Sequence, residues 1–332
     1  MITRRKLIIA LGASALTVPR ASFAQKPVKV WRVGVLREGG SPPTPSTPST
    51  NLDGFRTGMR ELGYAEGRDY VFEYRSVLGD LARLPAAAAE LVALKVDLIL
   101  STGTPSTEAA LKATRDIPIL IATVGDPVGS GFAASLRRPG GNVTGLTGLG
   151  SELNSKRLDL LRQILPGMRR VGFLYNPDSG SDVRGLRQFE SDCAKLQFTP
   201  IRASLRKAEE IPVTFNQLSR DKAQGLLVSG GSTNSAARGT IIEYAAKNRL
   251  PAVFSNSSYA ESGGLLSYGV NIPDLYRRAA AYADKIFKGA KPGDLPIEQP
   301  VKFEMILNLK TAKALGLTIS QSVIVQATRV IE

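Results

Sequence analysis

The sequence predicts an α/β protein of two doubly wound lobes, each built around a parallel sheet. Two observations carry that reading. Short apolar runs alternate with segments of helical period through both halves of the chain, the signature of successive βαβ units. A length of 332 residues also suffices for two cores. No sequence repeat relates the halves, so any duplication is one of structure alone.

The chain opens with Arg4, Arg5 and Lys6, an uncharged apolar run from Leu7 to Val18, and Ser22-Phe23-Ala24 ahead of Gln25. A basic start, an apolar stretch too short to span a bilayer, and small residues at the cleavage positions read as an export signal over residues 1–24. The segment lacks the polar face that a buried helix would show. Thr3-Arg4-Arg5 leaves general and twin-arginine export both open. The mature protein is therefore expected in the periplasm.

Val28 to Leu36 is a β-type run that ends at Glu38-Gly39-Gly40. The stretch 41–50, rich in Pro, Ser and Thr, favours extended, hydrated conformations. Leu52, Phe55, Met59 and Leu62 have helical spacing, and Gly63 stops that helix. Tyr70, Phe72 and Tyr74 alternate along a strand. An Ala-rich helix covers 84–94, and a short buried strand from Val96 to Leu100 opens into Ser101-Thr102-Gly103-Thr104-Pro105. After a further helix, the strand Ile117 to Ala122 runs into Val124-Gly125-Asp126-Pro127.

The rhythm recurs. Strand 170–174 runs into Tyr175-Asn176-Pro177-Asp178-Ser179, and a helix over 183–195 leads to a strand over 199–203. Gly225 to Val228 ends at Ser229-Gly230-Gly231-Ser232, and Ala252 to Phe254 ends at Ser255-Asn256-Ser257-Ser258. In open parallel sheets ligands bind beyond the carboxyl ends of the strands. Nearly every such end here carries Ser, Thr, Asn, Gly or Asp, which suits a polar small molecule held by many hydrogen bonds. The same residues also serve as helix caps and turn formers, so the weight rests on their coincidence in several loops.

Composition excludes more than it assigns. Histidine is absent, which removes Ser-His-Asp and Cys-His chemistry and histidine metal sites. Cys193, the single cysteine, cannot form an intramolecular disulfide and reads as a small buried helix residue. No cysteine near the cleavage site offers a lipid anchor, and no later stretch is apolar enough to span a membrane. The formal charge is +14, and +10 without the four basic residues of the leader. Its Lys and Arg are scattered along helices, as at Lys156-Arg157 and Arg277-Arg278, so a basic surface facing anionic lipid head groups is favoured over nucleic-acid binding. No Walker loop, dinucleotide fingerprint, nucleophile elbow or Cys-x-x-Cys pair is present, and no cofactor is expected.

Several stretches together are similar to a known family. They are Arg32-Val33-Gly34-Val35-Leu36, Phe55-Arg56 through Glu61-Leu62-Gly63-Tyr64, Val124 to Gly131, Arg138 to Gly145, Ser267-Tyr268-Gly269, and Asn308 to Gly316. Through them residues 29–332 resemble the substrate-binding proteins of a bacterial ABC-transporter family associated with aromatic amino-acid uptake. The resemblance implies a periplasmic-binding-protein fold of the first type, whose two lobes are joined by three crossovers and close on a ligand. It places lobe 1 at 28–125 plus 271–296 and lobe 2 at 145–267 plus 301–332. The crossovers fall near 126–144, 268–270 and 297–300.

The resemblance further implies ligand contacts from Gly39 and Ser41, from Thr102, Gly103 and Thr104, and from Asp126. On the other lobe it implies Asn176, Ser179, Ser229, Gly230, Ser255 and Asn256, with Tyr268 at the hinge. The Thr102 and Ser229 loops could take a ligand carboxylate. Asp126 could pair with an ammonium, or accept backbone N–H groups in its own turn. Tyr268 could stack on a ring or pack at the hinge. The stretch 41–50 looks longer than the family's usual first loop, which leaves Ser41 the least secure of these.

The expectation is an exported, monomeric, non-enzymatic carrier that delivers a small polar molecule, such as an amino acid, to an inner-membrane ABC permease. Two alternatives stand beside it. One is an exported enzyme using carboxylates such as Asp126 or Asp178. The other is a periplasmic sensory module; a repressor would need a DNA-binding helix-turn-helix where this chain has its leader.

Overall fold

The computed structural model describes residues 29–39, 50–150 and 152–332. The expected leader and Ser41 lie outside the described residues.

The first sheet holds β1 (Trp31–Arg37), β2 (Tyr70–Ser76), β3 (Leu98–Ser101), β4 (Ile119–Val124) and β5 (Val143–Thr147). They lie in the order β2-β1-β3-β4-β5, all parallel. Three helices, α1 (Thr50–Glu61), α2 (Leu84–Ala93) and α3 (Thr104–Ala113), connect its first four strands. The second half follows with α4 (Asn154–Ile164), β6 (Arg170–Tyr175), α5 (Gly180–Lys195), β7 (Thr199–Ser204), α6 (Ile211–Arg220) and β8 (Gly225–Val228). Next come α7 (Ser232–Ala236), α8 (Arg238–Lys247), β9 (Ala252–Phe254), α9 (Ser257–Glu261), β10 (Leu266–Val270) and α10 (Ile272–Phe287). The chain closes with β11 (Phe303–Asn308), α11 (Leu309–Ala314), α12 (Gln321–Ile324) and β12 (Arg329–Ile331). The second sheet runs β12-β11-β10-β9-β8-β6-β7. The two doubly wound lobes predicted from the sequence are present.

Period-two alternation sends neighbouring residues of each strand to opposite faces. In the first sheet Val33, Val35, Leu98 and Leu100 meet Phe55 and Met59 of α1 and Tyr276, Ala279 and Ala280 of α10. Leu36, Ile99, Ile119 and Ile121 face the other way onto Ala88, Leu91 and Ala110 of α2 and α3. The second sheet repeats the arrangement, with Phe173 and Leu174 of β6 on opposite faces. Such double coverage explains why the strands read as continuous apolar runs. Cys193 is fully buried among Phe173, Phe189 and Leu161 in that second core, as a small apolar residue should be.

Although α10 follows β10 of the second sheet, it lies against α1 of the first. The approach is close because α1 is notched: a Cβ on Gly54 would sit 2.2 Å from the Pro273 carbonyl, and one on Gly58 would sit 2.1 Å from that of Arg277.

Three connections join the lobes, and the first departs from the expected place. Residues 143–147 form β5 at the edge of the first sheet, so the chain leaves that lobe after Thr147 and not at 126. The span 126–142 is a loop of the first lobe. Gly145 explains why this strand reads as a hinge: its φ is +131°, and a Cβ there would meet the Ile121 carbonyl at 2.0 Å. The second connection is the short step from β10 to α10, and 268–270 belong to β10 itself. The third follows the turn Pro292–Asp294. Ile297 and Glu298 donate to the carbonyls of Leu136 and Gly145 beside β5 before the chain enters β11. Because β11 arrives from the other lobe and not over a helical crossover, it can run antiparallel to β10, the one departure from a purely parallel sheet among the described strands.

Candidate functional site

A cleft of about 1520 Å³ separates the lobes at the carboxyl ends of both sheets. On the first lobe Gly39, Thr102, Gly103, Thr104 and Asp126 line it, from the loops after β1, β3 and β4. On the second, Ser179, Ser229, Gly230, Ser255 and Asn256 line it, after β6, β8 and β9. Asn176 and Tyr268 stand outside the cleft wall.

Asn176 is buried and turned inward. Its side-chain amide donates to Thr233 Oγ1 at 2.8 Å, its N–H to Asp182 Oδ2 at 2.9 Å, and its Oδ1 accepts the Asp178 N–H at 2.9 Å. It shapes the loop through these bonds. Tyr268 packs against the cores of both lobes and stacks on Phe303 with ring centroids 6.1 Å apart.

Most polar groups of the expected loops are already satisfied by one another. The Thr102 hydroxyl donates to the Leu36 carbonyl at 3.3 Å, and the Gly103 N–H donates to Ser106 Oγ at 3.0 Å. Beneath this turn lies Glu38, 3% exposed, whose Oε1 accepts the Ser106 N–H at 2.9 Å. Only glycine fits above it, because a Cβ on Gly103 would stand 2.6 Å from that oxygen. In the second lobe Ser229 Oγ donates to Asp182 Oδ2 at 2.7 Å and accepts from the Asn234 side chain at 2.9 Å. Burial holds the Asp182 carboxyl above the usual carboxylate range, against the hydrogen bonds from Asn176 and Ser229 that lower it. The two loops expected to take a ligand carboxylate thus spend these donors on the protein.

Asp126 accepts a backbone N–H of its own turn, its Oδ1 taking that of Gly129 at 2.7 Å. Its other oxygen lies 3.6 Å from Nε of Arg184, on α5 of the opposite lobe. The cation facing Asp126 is therefore the protein's own.

Among the charged wall residues that the sequence does not single out are Arg37, Arg157, Asp182 and Arg184. The place of Arg157 beside Lys156 suggests one of the scattered basic residues of a helix, yet Arg157 is 2% exposed. Its Nε donates to the Tyr268 carbonyl at 2.8 Å and its Nη1 to Gly150 O at 3.0 Å and Asn154 Oδ1 at 2.9 Å. Its Nη2 reaches the Ser255 carbonyl at 3.4 Å. Burial lowers its pKa to about 10, so it stays a cation at neutral pH. One guanidinium thereby ties the first connection to β10 and to the cleft loop after β9. Arg37, at the carboxyl end of β1, has a buried Nη1 with no hydrogen-bond partner. Position at a strand end was the available signal for Arg37; no local pattern marks the others. The aromatic rings of the wall are Phe173 and Tyr276.

Among the described residues no cluster of metal-ligating side chains occurs, and no helix is long and apolar enough to cross a membrane.

Comparison with known proteins places this architecture. The family model for ABC transporter substrate binding proteins matches residues 45–331. A tyrosine-binding protein of Clostridioides difficile is 27% identical over 264 residues, which cover 80% of this chain and 76% of that protein. The crystal structure of an ABC domain from Streptococcus pneumoniae in complex with L-Trp is similar at a TM-score of 0.83 and 26% identity, over 91% of this chain and all of that one. A conserved domain protein of Vibrio cholerae is similar to the same degree, with a TM-score of 0.83 and 27% identity, over 91% of this chain and 100% of that chain.

Proposed function

Because the chain belongs to the ABC transporter substrate binding protein family, we propose that it is an exported carrier that binds a small polar solute of the amino-acid class in the interlobe cleft and delivers it to an inner-membrane permease. One observation carries the reading: strand-end loops of both sheets converge on a single cleft between lobes joined by three short connections. A solute there touches both lobes only when they are closed, so its binding energy shifts the population toward the closed form. A permease that distinguishes closed from open then accepts loaded carrier in preference to empty.

The amino-acid class rests on the relatives, one a tyrosine-binding protein and another a domain in complex with L-Trp. Export rests on the family and on the leader pattern of residues 1–24. Histidine-free composition suits a carrier, which has no bond to break.

The test is a thermal-shift screen of residues 25–332, unfolded and refolded to strip any guest, against amino acids, nucleobases, sugars and vitamins. At 100 times its dissociation constant a ligand adds about 2.7 kcal/mol, a shift of roughly 2–8 °C for a chain of this size. A hit recovered chemically unchanged supports a carrier. Conversion of the hit to a product would point to an enzyme instead. Uptake of that compound, lost when the cognate permease gene is deleted, separates transport from sensing.

A further inference from the structure

We propose that Arg37 reads an oxyanion on the solute, a carboxylate, and so makes the cleft selective for acids over their neutral analogues; this rests on the reading of the cleft as a solute site. Arg37 ends β1, and its side chain forms part of the cleft wall. Its Nη1 is buried yet has no hydrogen-bond partner. A buried guanidinium N–H without an acceptor is costly, and proteins nearly always supply one.

Among the described residues none is supplied to Nη1. Glu38 accepts the Ser106 N–H, and Asp126 accepts that of Gly129 and faces Arg184. Asp182 is held by Asn176 and Ser229. Glu261 pairs with Arg329, and Glu304 accepts from the side chain of Asn271. Among the described residues none of these wall acids pairs with Arg37. The other cations of the wall differ: Arg157 is tied to carbonyls, Arg184 to Asp126 and Ser130, and Arg238 to the Ser258 hydroxyl. Arg37 alone of the wall arginines couples a buried, unpartnered N–H of its outer fork to a position on the cleft, and a planar carboxylate matches that fork.

Calorimetry on the refolded mature chain tests this, using L-amino acids, their carboxamides, and sugars with and without a phosphate ester. Wild type, R37M and R37K are compared after far-ultraviolet dichroism and unliganded melting have shown each folded. Wild type is expected to bind one amino acid about ten- to a hundredfold more tightly than its carboxamide. R37M should level the two by weakening the acid alone, and R37K, which keeps charge but not the fork, should fall between. An unchanged preference for the acid in R37M overturns the assignment, as does a wild-type preference for carboxamides or neutral sugars. Preference for a phosphate ester, lost in R37M, overturns the carboxylate and moves the role of Arg37 to phosphate. If no compound binds wild type, the solute-site reading itself falls, and the proposal with it.

Discussion

Arg184 of the second lobe stands with Nε 3.6 Å from Asp126 Oδ2 and donates from Nη2 to Ser130 Oγ at 2.5 Å, both on the loop after β4 of the first lobe. The contact bridges the two lobes beside the cleft; under the proposed closure it would act as a latch on the closed form, separate from any bond to the solute.

Its strength is limited because the two side chains are 32% and 36% exposed. A pair in that setting contributes about 0.2–1 kcal/mol. R184M should weaken solute binding roughly two- to fivefold, mainly through faster release. The loss should be larger at low than at high ionic strength. Stopped-flow release measured at two salt concentrations checks both statements.

Arg157 should matter more to the fold than to the guest. R157M would strip the carbonyls of Gly150, Tyr268 and Ser255 of their donor in a buried hinge. The expected loss is about 2–4 kcal/mol in urea unfolding. R157K should recover little of it, since one ammonium cannot reach three separated carbonyls.

Asp182 predicts a pH dependence. Burial raises its pKa in the folded state, so the folded chain holds this proton where the unfolded chain has lost it. That contribution is fully present below the usual carboxylate range and is lost as pH rises through the raised folded value. D182N keeps an acceptor for Asn176 and Ser229 but does not titrate. The stability of wild type relative to D182N should thus be greatest near the acid end and decline toward neutral pH, as urea midpoints across that range would show. A constant difference would mean that Asp182 is ionised without penalty.

Cys193 should be inert in the native protein. Burial pushes its thiol up to about 12, leaving almost no thiolate at mild alkaline pH. Alkylation at such pH should be slow without urea and fast in it, so mass spectrometry of the alkylated fraction doubles as a readout of unfolding.

How much was legible in the sequence follows from how local each signal is. Gly225–Val228 and Ala252–Phe254 appear as strands at the bounds their apolar runs suggested, because buried parallel strands carry an uninterrupted apolar signature. Val143–Thr147 did not, since its Thr and Gly residues resemble a turn and its strand nature depends on pairing with β4. In the same way the strand-end loops announce the cleft by composition. Their saturation does not show there, because Glu38 meets Ser106, and Asp182 meets Ser229, across long stretches of chain. Arg157 illustrates the limit most plainly: adjacent to Lys156 in an ordinary amphipathic helix, it acquires its role largely from Tyr268 and Ser255, 111 and 98 residues away.

The central claim, that the lobes close on a small solute, is tested most directly by small-angle scattering of the refolded mature chain with and without the compound that raises its melting temperature. The account expects the radius of gyration to fall on binding, and R184M to require more compound for the same compaction. A compound that binds tightly while the radius of gyration stays unchanged would contradict it.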